Sequence, residues 1–161
     1  MSLSISNSVT AKRQKGTTLL EVLISVLVLS IGLLGVAGLQ TYGLRYNQSA
    51  YLRSQATILA YDMVDRMRSN SSGVAAGYYN SVSTATLPTD PNCISTGCTN
   101  LELANHDIRE WANYFVGTQP VLPSANGSVS RNGSIFTVNV SWTELDKAGT
   151  TNQSVSYNFR L

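Results

Sequence analysis

Hydrophobic and polar positions divide the chain into stretches of different period. From Leu19 to Leu44 leucine, isoleucine, valine, alanine and glycine dominate, and after Glu21 no charged residue occurs until Arg45. About 20 helical residues span a bilayer, so this run predicts a membrane-spanning helix. A signal peptide has a shorter apolar core, roughly 7–15 residues, with a small-residue cleavage site behind it. The run is too long for that, and no clear A-x-A site follows it. From Tyr46 to Arg68 the pattern turns amphipathic. Leu52, Ala56, Leu59, Met63 and Met67 recur at helical spacing on one face, with Arg53, Gln55, Asp62, Asp65 and Arg66 mostly elsewhere. Asp62 and Arg66 stand one turn apart and can pair. Together the two runs read as one helix from Thr17 to Arg68, stopped at the breaker cluster Ser69-Asn70-Ser71-Ser72-Gly73.

Ser71 to Asn92 has no clear period and is rich in Ser, Thr and Gly, with Pro88 and Pro91. It reads as a loop with a short helical turn near Ala75–Tyr79, and as the most variable surface. Thr99-Asn100-Leu101-Glu102 has the spacing of a capping box and starts a second, shorter helix. Leu101, Ala104, Ile108, Trp111 and Phe115 form its apolar stripe, and Gly117 and Pro120 end it. Beyond, Phe136, Val138, Val140 and Trp142 alternate with Thr137, Asn139, Ser141 and Thr143, the period of a half-buried strand. Asn132-Gly133 marks a hairpin turn before it, with Gly127 to Ser130 as the partner strand. Val155, Tyr157, Phe159 and Leu161 alternate again after a turn at Asp146 to Asn152. The fold class is α+β: a long N-terminal helix, membrane-spanning in its first half, packed on an antiparallel sheet of at least three strands, with a second short helix. Trp142 falls in the core between sheet and helix.

Composition adds a compartment. Only 12% of the 161 residues are charged, about half the usual share, and Ser, Thr, Asn and Gly are abundant. The formal net charge is +2, and Lys12, Arg13 and Lys15 precede the apolar run, so the rest of the chain is close to neutral. Basic residues before the span and none clustered after it place the leader inside and everything beyond Arg45 outside. No clustered positive charge marks the body as a nucleic-acid binder. Cys93 and Cys98 are the only cysteines. Outside the membrane they meet an oxidising compartment that favours a small disulfide loop. The rival reading, half a metal site, needs two more soft ligands, and His106 is the only histidine. His106 lies away from the apolar stripe, where a lone histidine is solvated. Glu102, Asp107, Glu110, Glu144 and Asp146 form no catalytic pair by spacing, and no phosphate loop or nucleophile elbow occurs. The chain reads as no enzyme, with no cofactor and no metal. The Asn-x-Ser matches at Asn70, Asn126, Asn132 and Asn152 reflect turn composition.

A signal anchor would account for the span but not for Glu21. An acid placed centrally in such a helix costs roughly 2.5–3.5 kcal/mol on insertion scales. Nor would it account for Gly16 between the basic leader and the apolar run. Lys15-Gly16-Thr17-Thr18-Leu19-Leu20-Glu21 resembles the processing site of type IV prepilins. That resemblance implies a cut between Gly16 and Thr17 by a membrane aspartyl prepilin peptidase, followed by N-methylation of Thr17. It also implies that Glu21, fifth residue of the mature chain, meets the Thr17 amine of a neighbouring subunit and sets the axial register of a filament. A departure is Thr17 itself, where the family usually has Phe. Gly32, Gly35, Gly38 and Gly43 let helices approach closely and are the candidates for local loosening, since no proline occurs in the span.

Ile31-Gly32-Leu33-Leu34-Gly35-Val36-Ala37-Gly38-Leu39-Gln40 resembles the PilV-type minor pilins, also called type IV pilus modification proteins. The resemblance continues at Cys98 to Ala104, at Asp107-Ile108-Arg109-Glu110-Trp111 and at Phe136 to Trp142. It implies a pilin-like fold with a cleaved leader over 1–16, a transmembrane and filament-core segment over 17–44, and a periplasmic or extracellular head over 45–161. The implied function is a minor pilin that primes assembly and enters the pilus, serving adhesion and twitching motility. The implied partners are the prepilin peptidase, other minor pilins, the major pilin, the inner-membrane assembly platform and a tip adhesin. Its implied location is the inner membrane before assembly and the cell surface after it. The alternatives are a type II secretion pseudopilin and a signal-anchored binding domain.

Overall fold

The apolar run and the amphipathic run form one helix, α1, Leu19–Ser69, in a computed structural model that describes residues 16–116, 120–146 and 149–161. The leader residues Lys12, Arg13 and Lys15 lie outside the described residues, as does Gly117. The chain divides into two compact units, Met1–Leu44 and Arg45–Leu161.

In the first unit α1 is exposed on every side. Its serine and threonine hydroxyls are satisfied by the helix itself. Ser25, Ser30 and Thr41 donate to the carbonyls of Glu21, Val26 and Ala37, one turn back. The helix is long and apolar enough to cross a membrane by length and composition. It runs unbroken through Gly32, Gly35, Gly38 and Gly43, around which a Cβ would meet nothing within 4 Å.

In the second unit α1 buries one face. Leu52, Ala56, Leu59, Met63 and Met67 are buried as the period requires, joined by Ala60 and Val64. The helix stops at Ser69, but the breaker cluster does not lead into loop. Asn70 caps a further short helix, α2, Ser71–Ala75, its side chain accepting from the Gly73 amide at 3.1 Å. The predicted turn near Ala75–Tyr79 is present as hydrogen-bonded turns that continue from the end of α2, which itself starts earlier than expected. The segment to Asn92 is also more structured than its composition suggests. Tyr79, Val82 and Thr84 are buried, and Ser81–Ser83 forms strand β1. Next come α3, Cys93–Thr96, and α4, Asn100–Val116. The capping box at the start of α4 forms in both directions: the Thr99 amide donates to Glu102 Oε2 at 2.8 Å, and the Glu102 amide to Thr99 Oγ1 at 3.3 Å.

Strands β2, Asn126–Asn132, β3, Ile135–Asp146, and β4, Gly149–Phe159, complete an antiparallel sheet in the order β1-β2-β3-β4. The expected three-stranded meander therefore gains β1 as an edge, with Val82 opposite Val129. Asn132-Gly133 makes the predicted hairpin, Gly133 taking φ 60°, a conformation open to glycine. Phe136, Val138, Val140 and Trp142 all face the core. Val155 and Tyr157 pack against it from β4, and Phe159 is buried within it, whereas Leu161 is exposed.

Helix α4 closes the core through Trp111, whose Nε1 donates to the Leu59 carbonyl of α1 at 2.8 Å. Its ring lies against the backbone of β2 at Gly127. A Cβ there would overlap the Trp111 ring, 2.7 Å from Cζ3, and reach 2.9 Å from Phe115 Cζ. The neighbours are rigid rings, so Gly127→Ala is expected to destabilise the protein by about 1–3 kcal/mol through overpacking. Chemical denaturation monitored by tryptophan fluorescence measures this. A midpoint equal to wild type would contradict the close approach.

Candidate functional site

Two places carry side chains whose chemistry the core does not explain. The first is the start of α1. Gly16 and Thr17 are exposed and lie outside the helix. Thr18 caps it: the Glu21 amide donates to Thr18 Oγ1 at 3.3 Å and to the Thr18 carbonyl at 3.0 Å. Glu21 therefore sits in the first turn, where a carboxylate interacts favourably with the exposed amides and the helix dipole. Its side chain is exposed, and no ion pair reaches it among the described residues. From Leu19 on, Glu21 is flanked by exposed Leu20, Val22, Leu23 and Ile24. The arrangement is a single carboxylate at the head of an apolar helix, four residues beyond a non-helical Gly16-Thr17 bond.

The second is a polar network inside the head, where α1, α2 and α4 meet. Asp107 on α4 is 5% exposed. Tyr79 Oη donates to Asp107 Oδ2 at 2.5 Å and accepts from Asn70 Nδ2 at 3.1 Å. Asn70 Nδ2 also donates to the Asn100 carbonyl at 2.8 Å. From α1, Arg66 Nη1 stands 3.7 Å from Asp107 Oδ1 while its Nε donates to Asp62 Oδ2 at 2.9 Å. The predicted Asp62–Arg66 pair thus forms, but as one edge of a larger cluster. Asn70 is not a generic turn residue. It is a buried bracket joining three elements, and its only sequence signal is its position as a helix N-cap. Asp107 stands between the stripe residues Ala104 and Ile108 and is buried with them, whereas Leu101, expected in the stripe, is 47% exposed. His106 is not simply solvated either: it is half-buried, and its Nδ1 is enclosed without a hydrogen-bond partner among the described residues.

The electrostatics of this network follow from burial. Desolvation raises the Asp107 pKa above its ordinary value, opposed by the Tyr79 hydrogen bond and by the charges of Arg66 and His106, and reinforced by Asp62. Desolvation and the bond to Asp107 push the Tyr79 hydroxyl up. A carboxyl whose folded pKa exceeds its unfolded one adds stability below the unfolded value, and that stability is lost as pH rises through the folded value. Compared with Asp107→Asn, the wild-type protein is therefore expected to gain thermal stability as pH falls from neutral toward the carboxyl range. Thermal unfolding of the two full chains in detergent across that window is the check. A difference that stays constant or shrinks on acidification would contradict it.

Cys93 and Cys98 are joined in a disulfide, so neither is available as half of a metal site. It closes the loop that carries α3 ahead of α4. Arg109 ties down the preceding segment, donating from Nη1 to the Pro88 carbonyl at 2.8 Å, with Asp90 Oδ2 3.8 Å from its Nε.

A long apolar helix with an acid in its first turn and an α+β head on an antiparallel four-stranded sheet make a pilin-like fold. Two family models agree with that geometry. The prokaryotic N-terminal methylation motif matches residues 11–37, and Type IV pilin Tt1218 matches residues 38–109. The two matches run end to end, so the chain is similar to a type IV pilin over residues 38–109 and to the N-terminal methylation motif ahead of it. No curated protein and no solved structure shows significant similarity to the chain.

Proposed function

We propose that the chain is a minor pilin of a type IV pilus, made as a prepilin and built into the filament after processing. The observation that carries this reading is the N-terminal arrangement. Gly16-Thr17 is exposed, non-helical backbone directly before a capped helix, and a lone acid follows at Glu21. A peptidase needs extended, accessible backbone, and the cut after Gly16 removes the basic leader 1–16. The new amine at Thr17, the site of N-methylation, then bears a positive charge. In lipid or in a filament core, a carboxylate persists when it has a partner. The Thr17 amine of a neighbouring subunit supplies one, and pairing favours a single axial register. Residues 17–44 form the membrane and filament-core segment, and 45–161 the head in the periplasm and later on the cell surface.

The minor-pilin role draws on the resemblance of Ile31–Gln40 to PilV-type pilins. Its partners are the prepilin peptidase, the major and other minor pilins, the inner-membrane assembly platform and a tip adhesin. Comparing the native bacterium with a deletion strain tests the role. The chain is expected in sheared pili, and its loss is expected to reduce piliation and twitching while protein secretion continues. Intact pili with lost secretion would make it a pseudopilin instead.

A further inference from the structure

The sheet ends in two unlike edges. On one side β1 is three residues long, which limits what can pair with it. On the other, β4 runs for 11 residues, and its outer edge has no partner strand among the described residues. Edge strands are commonly guarded by a charge, a proline or a bulge that keeps other chains off. From Gly149 to Phe159 there is no charged residue and no proline. Pairing with β3 is one-to-one, from Phe136 opposite Phe159 to Asp146 opposite Gly149, which leaves no bulge. The core is also unfinished on this side. Val138, Val140 and Trp142 of β3 are fully buried, yet the residues opposite them on β4, Tyr157, Val155 and Gln153, are only half-buried. Tyr61 of α1 meets Tyr157 with ring centroids 4.7 Å apart and is itself 44% exposed. Unpaired main-chain donors and acceptors thus run beside an open apolar strip.

We infer that the β4 edge receives an extended strand of a different subunit, uncharged along its length and apolar at every second position. Main-chain hydrogen bonds to β4 supply affinity, and the alternate apolar residues cover Val155, Tyr157 and Tyr61. Alternate residues of an edge this long offer about ten outward N–H and C=O groups, and a typical stable interface carries about ten direct hydrogen bonds. A second copy of this chain does not suit the edge. Two identical edges close on each other in the antiparallel sense, about a two-fold axis. Helix α1 and strand β4 run the same way in the head: Arg45 and Ser49 gather with Thr150, and Tyr61 meets Tyr157. A closed β4 pair would therefore set two α1 helices in opposite directions, whereas subunits inserted by the same basic leader share one direction. The inference rests on the filament reading above, which supplies the other subunits.

The test uses the full chain in its native envelope, with a benzophenone-bearing residue in place of Asn152, Ser154 or Ser156, one at a time. All three are exposed on one face of β4. After irradiation of sheared filaments, mass spectrometry is expected to find each attached to one other subunit, at sites that shift by two residues for each two-residue step along β4. That step is the signature of paired strands. Amide hydrogen exchange over Gly149–Phe159 is expected to slow on assembly, because outward N–H groups gain partners. Ser154→Pro and Val155→Pro, made singly, add a loss test. Adjacent residues of the strand direct their N–H groups to opposite sides, so one of the two removes only an outward donor. The variant that keeps the wild-type melting temperature is expected to lose the attachment; if both unfold, the attachment map and the exchange still decide. Attachment sites without the two-residue step, or unchanged exchange in filaments, would overturn the added strand. Attachment to a second copy would overturn the different subunit as occupant. Absence of the chain from filaments would remove the filament reading, and the inference with it.

Discussion

Gly16→Leu is expected to leave the chain uncut, seen as a heavier band on a gel and an intact leader by mass spectrometry. Gly16 has nothing within 4 Å of the position its Cβ would occupy, and it precedes the helix. A larger residue there costs the fold nothing, so lost processing reports on recognition by the peptidase. Glycine lets another backbone approach closely, and a side chain at the scissile bond blocks that approach. Because the leader carries Lys12, Arg13 and Lys15, an uncut chain is expected to keep that charge on the inner side and to stay in the membrane. Processing at the wild-type level would mean that Gly16 is an ordinary residue ahead of a signal anchor.

Glu21→Ala is expected to have the opposite profile: normal cleavage, with incorporation into sheared filaments reduced at least about tenfold. The acid contributes only about 0.3–1 kcal/mol to its own helix through the dipole, and α1 continues for many turns beyond it. Loss of helix is thus too small an effect to explain a large defect. In a filament core the variant would leave the neighbour's Thr17 amine unpaired. Removing one member of a buried pair costs about 3–5 kcal/mol, and about 1.4 kcal/mol is a factor of ten. Glu21→Gln keeps the shape but not the charge and is expected to behave like alanine. Full incorporation of either variant, measured by immunoblot of sheared pili against the cell pool, would contradict charge pairing.

Much of this architecture is written in periodicity. The face Leu52–Met67 and the alternation Phe136–Trp142 each place side chains by a fixed geometric repeat, and both bury as the repeat requires. The capping box at Thr99–Glu102 and the hairpin at Asn132-Gly133 are local too, set by a few neighbouring residues. What periodicity could not show depends on contacts distant in sequence. Strand β1 has only three residues, and its pairing with β2 and the burial of Thr84, which accepts from the Gly127 amide at 2.9 Å, create it. Asp107 breaks the apolar stripe of α4 in composition but not in burial, because Tyr79 and Arg66 come to it from elsewhere. Asn70 has the composition of a breaker, and its tie to Asn100 spans 30 residues.

The N-terminal site is the reverse case. Its residues were legible in the sequence because a charge in an apolar run is conspicuous. Within a single copy, however, Glu21 has no ion pair among the described residues, since the partner it is proposed to meet belongs to another subunit. The structure supplies the local half of the arrangement: the non-helical Gly16-Thr17 bond, the Thr18 cap and the placement of Glu21 in the first turn.

The most direct measurement is the N-terminal mass of the wild-type protein isolated from its native cell envelope. The account predicts a chain beginning at Thr17, with a methyl group on the new amine. A chain that still carries Lys12, Arg13 and Lys15 would contradict it.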